Sequence, residues 1–235
     1  MAKMIKTYKG DLVEYEIFNL VDFYDPILRQ PCVPVKFDTP EDLKRNHYLA
    51  FSMAETLAKY EGLGLSANQV GLKEKVCAVN MGEQIWTLFN PEIIESSLTT
   101  AKYQEGCLSY PGLYIHVNRP DHIKVRFQGT NGDFVEQEFD GLTAVVVQHE
   151  IDHLNGVMYT DKVSSIKLEQ AKRKVKQNIK KMKIYLRERK EQEQQAIVSE
   201  KQKMKPIASG EAPTIQILPS TNTQEKKPEK FVYGA

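Results

Sequence analysis

Six residues, Gln148-His149-Glu150-Ile151-Asp152-His153, constrain this chain more than any other segment, because they set two imidazoles and two carboxylates inside an apolar run. Around them, Val145-Val146-Val147 favours a strand, but Leu142, Val145, Val146, His149 and His153 share one face of a helix. A helix over 141–155, buried on several sides, is the reading adopted. In it the two histidines project from one face about 6 Å apart along the axis. H-E-x-x-H on a helix can hold one metal with the glutamate beside it as a base, a geometry suited to metal-assisted hydrolysis. A catalytic site normally takes three protein ligands and leaves one position open, so a third donor is needed. His47, His116 and His122 are available. Cys107, in the polar, glycine-containing Glu105-Gly106-Cys107-Leu108-Ser109, is the better candidate.

The other elements are legible around this helix. Thr39 and Pro40 open a helix over 40–61, with Leu43, Leu49, Met53, Leu57 and Tyr60 at helical spacing and Gly62 as its stop. Strands are predicted at Val76–Asn80 and at Ile85–Phe89, the latter ending before Asn90-Pro91. Ile123, Val125 and Phe127 alternate with polar residues, Asn131-Gly132 predicts a tight turn, and Phe134–Phe139 returns as a hairpin whose end, Asp140, caps the next helix. From Ser165 a further helix is marked by Leu168, Ala171, Val175, Ile179, Met182 and Leu186, and its stretch 166–190 would span roughly 37 Å.

Charge divides the chain more sharply than its net +1 suggests. Residues 1–165 carry 15 Lys and Arg against 23 Asp and Glu, whereas 166–205 carry 14 against 5. An acidic body therefore precedes a basic arm. The expected organisation is a catalytic domain over 1–165, a basic helix over 166–205 and a disordered, proline-containing tail over 206–235. No apolar run is long enough for a membrane span, and the first thirty residues do not read as a signal or transit peptide, so the expected location is the cytoplasm. Three scattered cysteines make no disulfide framework; Cys77 reads as a buried inert thiol and Cys32 has no assigned role.

Three motifs in order, Gly62-Leu63-Gly64-Leu65-Ser66-Ala67-Asn68-Gln69, Glu105 to Ser109 and Gln148 to Gly156, resemble those of the peptide deformylases, over most of residues 20–185. That family removes the formyl group from the N-terminal methionine of new bacterial chains. The resemblance implies an α+β fold with antiparallel sheets packed around the metal-binding helix, followed by a C-terminal basic helix. It implies Cys107, His149 and His153 as metal ligands, Glu150 as general base, and Gln69 with the Leu108 backbone N–H as stabilisers of the developing oxyanion. The methionine side chain would enter an apolar pocket near Leu63, Tyr103, Leu142, Val145 and Val146, with Gly64 and Glu105 also binding substrate and with Gly62 and Gly64 letting the peptide approach the backbone.

The implied cofactor is one divalent ion, Fe(II) first in the cell, with zinc, nickel or cobalt in purified protein. The implied partners are formyl-Met nascent peptides and the ribosome, the latter through helix 166–190, with no membrane and no DNA. A bacterial or phage-infected cytoplasm is expected ahead of an organelle. Ser66 stands where the family commonly has alanine, and Tyr110-Pro111-Gly112-Leu113-Tyr114 matches only part of the family.

Overall fold

The computed structural model describes residues 4–8 and 11–203. Their contacts divide the chain into two units, one ending at Lys172 and the other beginning at Arg173. The predicted tail, 206–235, lies outside the described residues.

The first unit is an α+β body. β1 (Met4–Tyr8) and β2 (Asp11–Tyr15) form one hairpin, which the sequence reading did not anticipate. α1 (Pro40–Lys59) follows, opened as predicted by Thr39, whose hydroxyl accepts from the Asp42 N–H while the Asp42 carboxylate accepts from the Thr39 N–H. The helix ends two residues earlier than predicted. Glu61, at φ 51°, takes the left-handed turn, and Gly62 is there for space: a Cβ would fall 2.8 Å from Leu108 Cδ1 and 2.9 Å from Leu57 Cδ1.

β3 (Gly64–Ser66), β4 (Val76–Asn80), β5 (Ile85–Ser96), β8 (His122–Gln128) and β9 (Phe134–Asp140) make one antiparallel sheet in the order β3-β4-β5-β8-β9. β6 (Thr100–Cys107) and β7 (Tyr110–Pro120) form a separate antiparallel pair. The strand predicted to stop before Asn90-Pro91 runs on to Ser96, because a register shift between Phe89 and Glu92 absorbs the proline. Asn90 sits at φ 49° there, its side chain bonded to both backbone groups of Val35 and to Gln128. The β8–β9 connection is also wider than a tight turn. It is a five-residue loop, 129–133, closed by Gly129 N–H to Asp133 O at 3.0 Å, with Gly132 at φ 87°.

α2 (Gly141–Leu154) lies against the five-stranded sheet, and Ala144, Val147, Ile151 and Leu154 join one core with Met53 and Leu57 of α1 and with Val76, Cys77, Leu88, Ile123 and Val125 of the strands. Cys77 is the buried thiol expected. Asp140 occupies the N-cap position of α2 without capping it; its carboxylate accepts from His122 Nδ1 at 2.7 Å instead.

α3 (Ser165–Lys203) starts in the first unit and continues into the second, beginning one residue before and ending two residues short of the predicted 166–205. Residues past 190 are good helix formers, and Arg187–Glu191 and Arg189–Glu193 are i,i+4 pairs. Among the described residues no helix is long and apolar enough to cross a membrane.

Candidate metal centre and active site

Every residue of α2 from Ala144 to Ile151 is buried, so the helix shows no single apolar face, which explains its ambiguous pattern in the sequence. His149 and His153 stand one turn apart with ring centroids 4.8 Å from each other and Nε2 atoms 3.2 Å apart. The third corner comes from the β6–β7 hairpin. Cys107 pairs with Tyr110 across the two-residue turn Leu108-Ser109, which sets Cys107 Sγ 3.3 Å from His153 Nε2. One donor atom from each of Cys107, His149 and His153 lies within 4.8 Å of the others, and all three residues are buried.

The surroundings of this trio fit a cation. Glu105 Oε2 accepts from His149 Nδ1 at 2.8 Å, which turns the Nε2 lone pair toward Cys107 and His153. Glu105 is itself gripped by Arg119, Nε to Oε1 at 2.7 Å and Nη2 to Oε2 at 2.8 Å. Burial works to raise the Glu105 carboxyl, but the hydrogen bonds from Arg119 and then His149 outweigh it and hold it down at about 2. Arg119 also bonds Asp152, which takes Lys162 Nζ at 3.0 Å.

For His149, burial disfavours charge but the bonds to Cys107 and Glu105 carry it up to about 10; for His153, burial and then the charge on His149 hold it well below the ordinary histidine value. Two imidazole nitrogens and a thiol this close need a proton or a cation between them. A thiolate with two imidazoles suits zinc, iron, nickel or cobalt, and three protein donors leave a coordination position for a reactant.

Glu150 and Gln69 flank the trio. Glu150 is 3% exposed, and its burial raises its pKa, opposed by His149 and by the Ser66 hydroxyl. Ser66 Oγ donates to Glu150 Oε2 at 2.5 Å, so the serine in place of the family's usual alanine holds this carboxylate directly. Gly64 makes room for it: a Cβ there would lie 2.3 Å from Glu150 Oε1. The glycine predicted to admit peptide therefore also admits the glutamate. Gln69 sits in the 3₁₀ turn Ala67–Val70, its Oε1 accepting from the Ser66 N–H at 2.7 Å. That bond orients the amide so that Nε2 points at Cys107 Sγ, 3.3 Å away, and Ser109 Oγ, 3.4 Å away.

A cleft open to solvent meets these groups. The predicted Leu63, Gly64, Leu108, Val145 and Val146 line it together with Gln69, Cys107, His149 and Glu150. Glu105 also borders it, but both of its oxygens are committed to Arg119 and His149, so its side chain supports the histidine rather than receiving a ligand. Tyr103 and Leu142 are not among the lining residues. Strand alternation puts Tyr103 on the face of Glu105 and Cys107 but two residues further along β6, and Leu142, 47% exposed, lies in the first turn of α2.

Arg119, Asp152, Ser66 and Asn68 belong to the site and had no role in the sequence reading. Asp152 lies inside the third motif, so its signal was present. Arg119 has no local signal, because only the β6–β7 register brings it to Glu105.

A polypeptide deformylase family model matches residues 17–169. The peptide deformylase of Thermotoga maritima is 40% identical over 152 residues, covering 64% of this chain and 90% of that one. The crystal structure of that organism's peptide deformylase superposes with a TM-score of 0.58 at 41% identity, over 63% of this chain and 99% of that one. A peptide deformylase from Legionella pneumophila superposes with a TM-score of 0.62 at 32% identity, over 72% and 98%. With three motifs, a Cys-His-His cluster and these relatives in agreement, the chain belongs to the polypeptide deformylase family.

Proposed function

We infer that this chain hydrolyses the N-terminal formyl group of formylmethionyl peptides, releasing formate and a free amino terminus. The observation that carries the reading is the convergence of Cys107 Sγ, His149 Nε2 and His153 Nε2 beside the buried Glu150 at an open cavity. A divalent cation held by Cys107, His149 and His153 would supply Lewis acidity, polarising a carbonyl and acidifying water.

The remaining steps belong to the protein. Glu150, its Oε2 tied to Ser66, takes a proton from the attacking water as the new C–O bond forms, and burial, by raising its pKa, makes it a stronger base than an exposed carboxylate. Gln69 Nε2, oriented by the Ser66 N–H, and the Leu108 N–H, in the hairpin turn and outside the β6–β7 ladder, donate to the developing oxyanion. Glu150 then passes its proton to the departing amine nitrogen as the C–N bond breaks, and returns to a carboxylate. Leu63, Val145 and Val146 give the methionine side chain an apolar place and keep water from the reacting carbon.

Fe(II) is ranked first as the cellular ion, with zinc, nickel or cobalt able to occupy the same donors. A formylated nascent substrate supports a cytoplasmic location, in a bacterial or phage-infected cell ahead of an organelle. The basic helix 166–190, with Lys176, Lys180 and Lys183 along it, suits contact with ribosomal RNA phosphates. The test is formate release from a formyl-Met peptide by anaerobically purified, metal-analysed protein. Glu150→Gln should retain the metal and lose at least ~10²-fold in rate. Cleavage of internal peptide bonds, or no loss in the variant, would overturn the reading.

A further inference from the structure

Among the described residues, two buried side-chain polar atoms have no hydrogen-bond partner: Asn68 Oδ1 and His153 Nδ1. The residues that own them are already joined, since Asn68 Nδ2 donates to the His153 carbonyl oxygen. Both are almost fully buried, at 0% and 1% exposed. An orphaned buried donor or acceptor bears the full cost of losing water, and one residue pair holding one of each is a complementary set.

The chemistry of the site says which atom is the donor. His153 Nε2 faces Cys107 Sγ at 3.3 Å and His149 Nε2 at 3.2 Å, so as a ligand it must present a lone pair there and carry its ring proton on Nδ1. His149 has Glu105 behind it to accept the equivalent proton. His153 Nδ1 has no such partner, and the unpartnered acceptor Asn68 Oδ1 belongs to the residue already bonded to the His153 carbonyl. The Nδ2 bond to the His153 carbonyl fixes which end of the amide is which.

We propose that Asn68 is a positioning residue of the metal centre, its Oδ1 accepting the His153 Nδ1–H, directly or across one water, and so fixing the tautomer and ring plane of that ligand. The proposal rests on the assignment of Cys107, His149 and His153 as metal ligands. In it the two histidines are supported differently: His149 by a carboxylate from the β6–β7 hairpin, His153 by a neutral amide from the turn that also carries Gln69. A neutral acceptor orients an imidazole without adding charge beside the thiolate.

Zn(II) affinity, measured on the full chain by competition with a chelator, separates the possibilities. Asn68→Ala should bind Zn(II) ~10- to 100-fold more weakly. Asn68→Asp loses the Nδ2 bond but keeps an acceptor, so it should stay much nearer the parent than Asn68→Ala does. Ring ¹⁵N NMR of the Zn(II)-loaded parent should show the His153 proton on Nδ1 and slow to exchange, a signal that needs no variant. Equal affinity in the parent and Asn68→Ala would overturn the proposal while leaving the ligand assignment intact. Equal weakening in Asn68→Ala and Asn68→Asp would also overturn it, by showing that only the bond to the backbone matters. A parent that binds no Zn(II) would instead overturn the ligand assignment itself.

Discussion

α2 and α3 are both rich in ionisable residues and treat them in opposite ways. In the 14 residues of α2, His149, Glu150 and His153 are buried, and Glu105 answers His149 and Ser66 answers Glu150 from elsewhere in the chain. In α3 the charges from Arg173 to Glu193 are exposed, and so are apolar side chains such as Ile179, Tyr185 and Leu186. Burial makes an ion pair matter because the partner left behind cannot turn to water, whereas an exposed pair exchanges one solvated state for another. Ionisable side chains therefore build a buried, partnered centre in one helix and a solvated surface in the other.

Arginine offers the sharpest way to test that contrast. Arg119→Met strands the Glu105 carboxylate in a buried setting and should cost roughly 3–5 kcal/mol in urea unfolding. Arg189→Met, which breaks the exposed pair with Glu193, should stay within about 0.5 kcal/mol. Similar losses at the two sites would break the comparison.

Next in size is Gly64→Ala. Its Cβ would push on Glu150 Oε1, and a displaced base should lower the rate of formate release by ~10²-fold while KM changes little. An unchanged rate would mean that Glu150 can shift without consequence. The smallest effect on chemistry is expected in α3. Replacing Lys176, Lys180 and Lys183 together with Gln should leave the rate on a short formyl-Met peptide unaltered, yet weaken sedimentation with ribosomes and flatten its salt dependence by about one contact per lysine that bears on phosphate. If ribosome association is unaffected, these lysines are simply a solvated face.

Local pattern made much of this molecule readable. Thr39, Pro40 and the spacing of Leu49, Met53 and Leu57 marked α1 because capping and helical period act over a few residues. The alternation of Ile123, Val125 and Phe127 marked β8 for the same reason. Pro91 misled because a bulge can carry a proline inside a strand, and the closeness of Gly64 to Glu150 was hidden because the two lie far apart in sequence. Tyr103 and Leu142 were assigned to the cavity by likeness to a family, and the depth at which each side chain lies is a property of packing.

The sequence by itself determined that His149, Glu150 and His153 would share one helix, with the two imidazoles one turn apart, since helical pitch alone decides that spacing. It also determined the division between an acidic body and a basic arm. Only the tertiary structure decided how Cys107, already favoured in the sequence, meets those histidines and which groups hold each of them. Cys107, Glu105 and Arg119 reach the site through the register of β6 on β7, and Ser66, Asn68 and Gln69 reach it through the turn after β3. The contacts these elements then make with α2 close over dozens of residues, 46 between Cys107 and His153 and 84 between Ser66 and Glu150, where no local period operates, and burial makes each of them count.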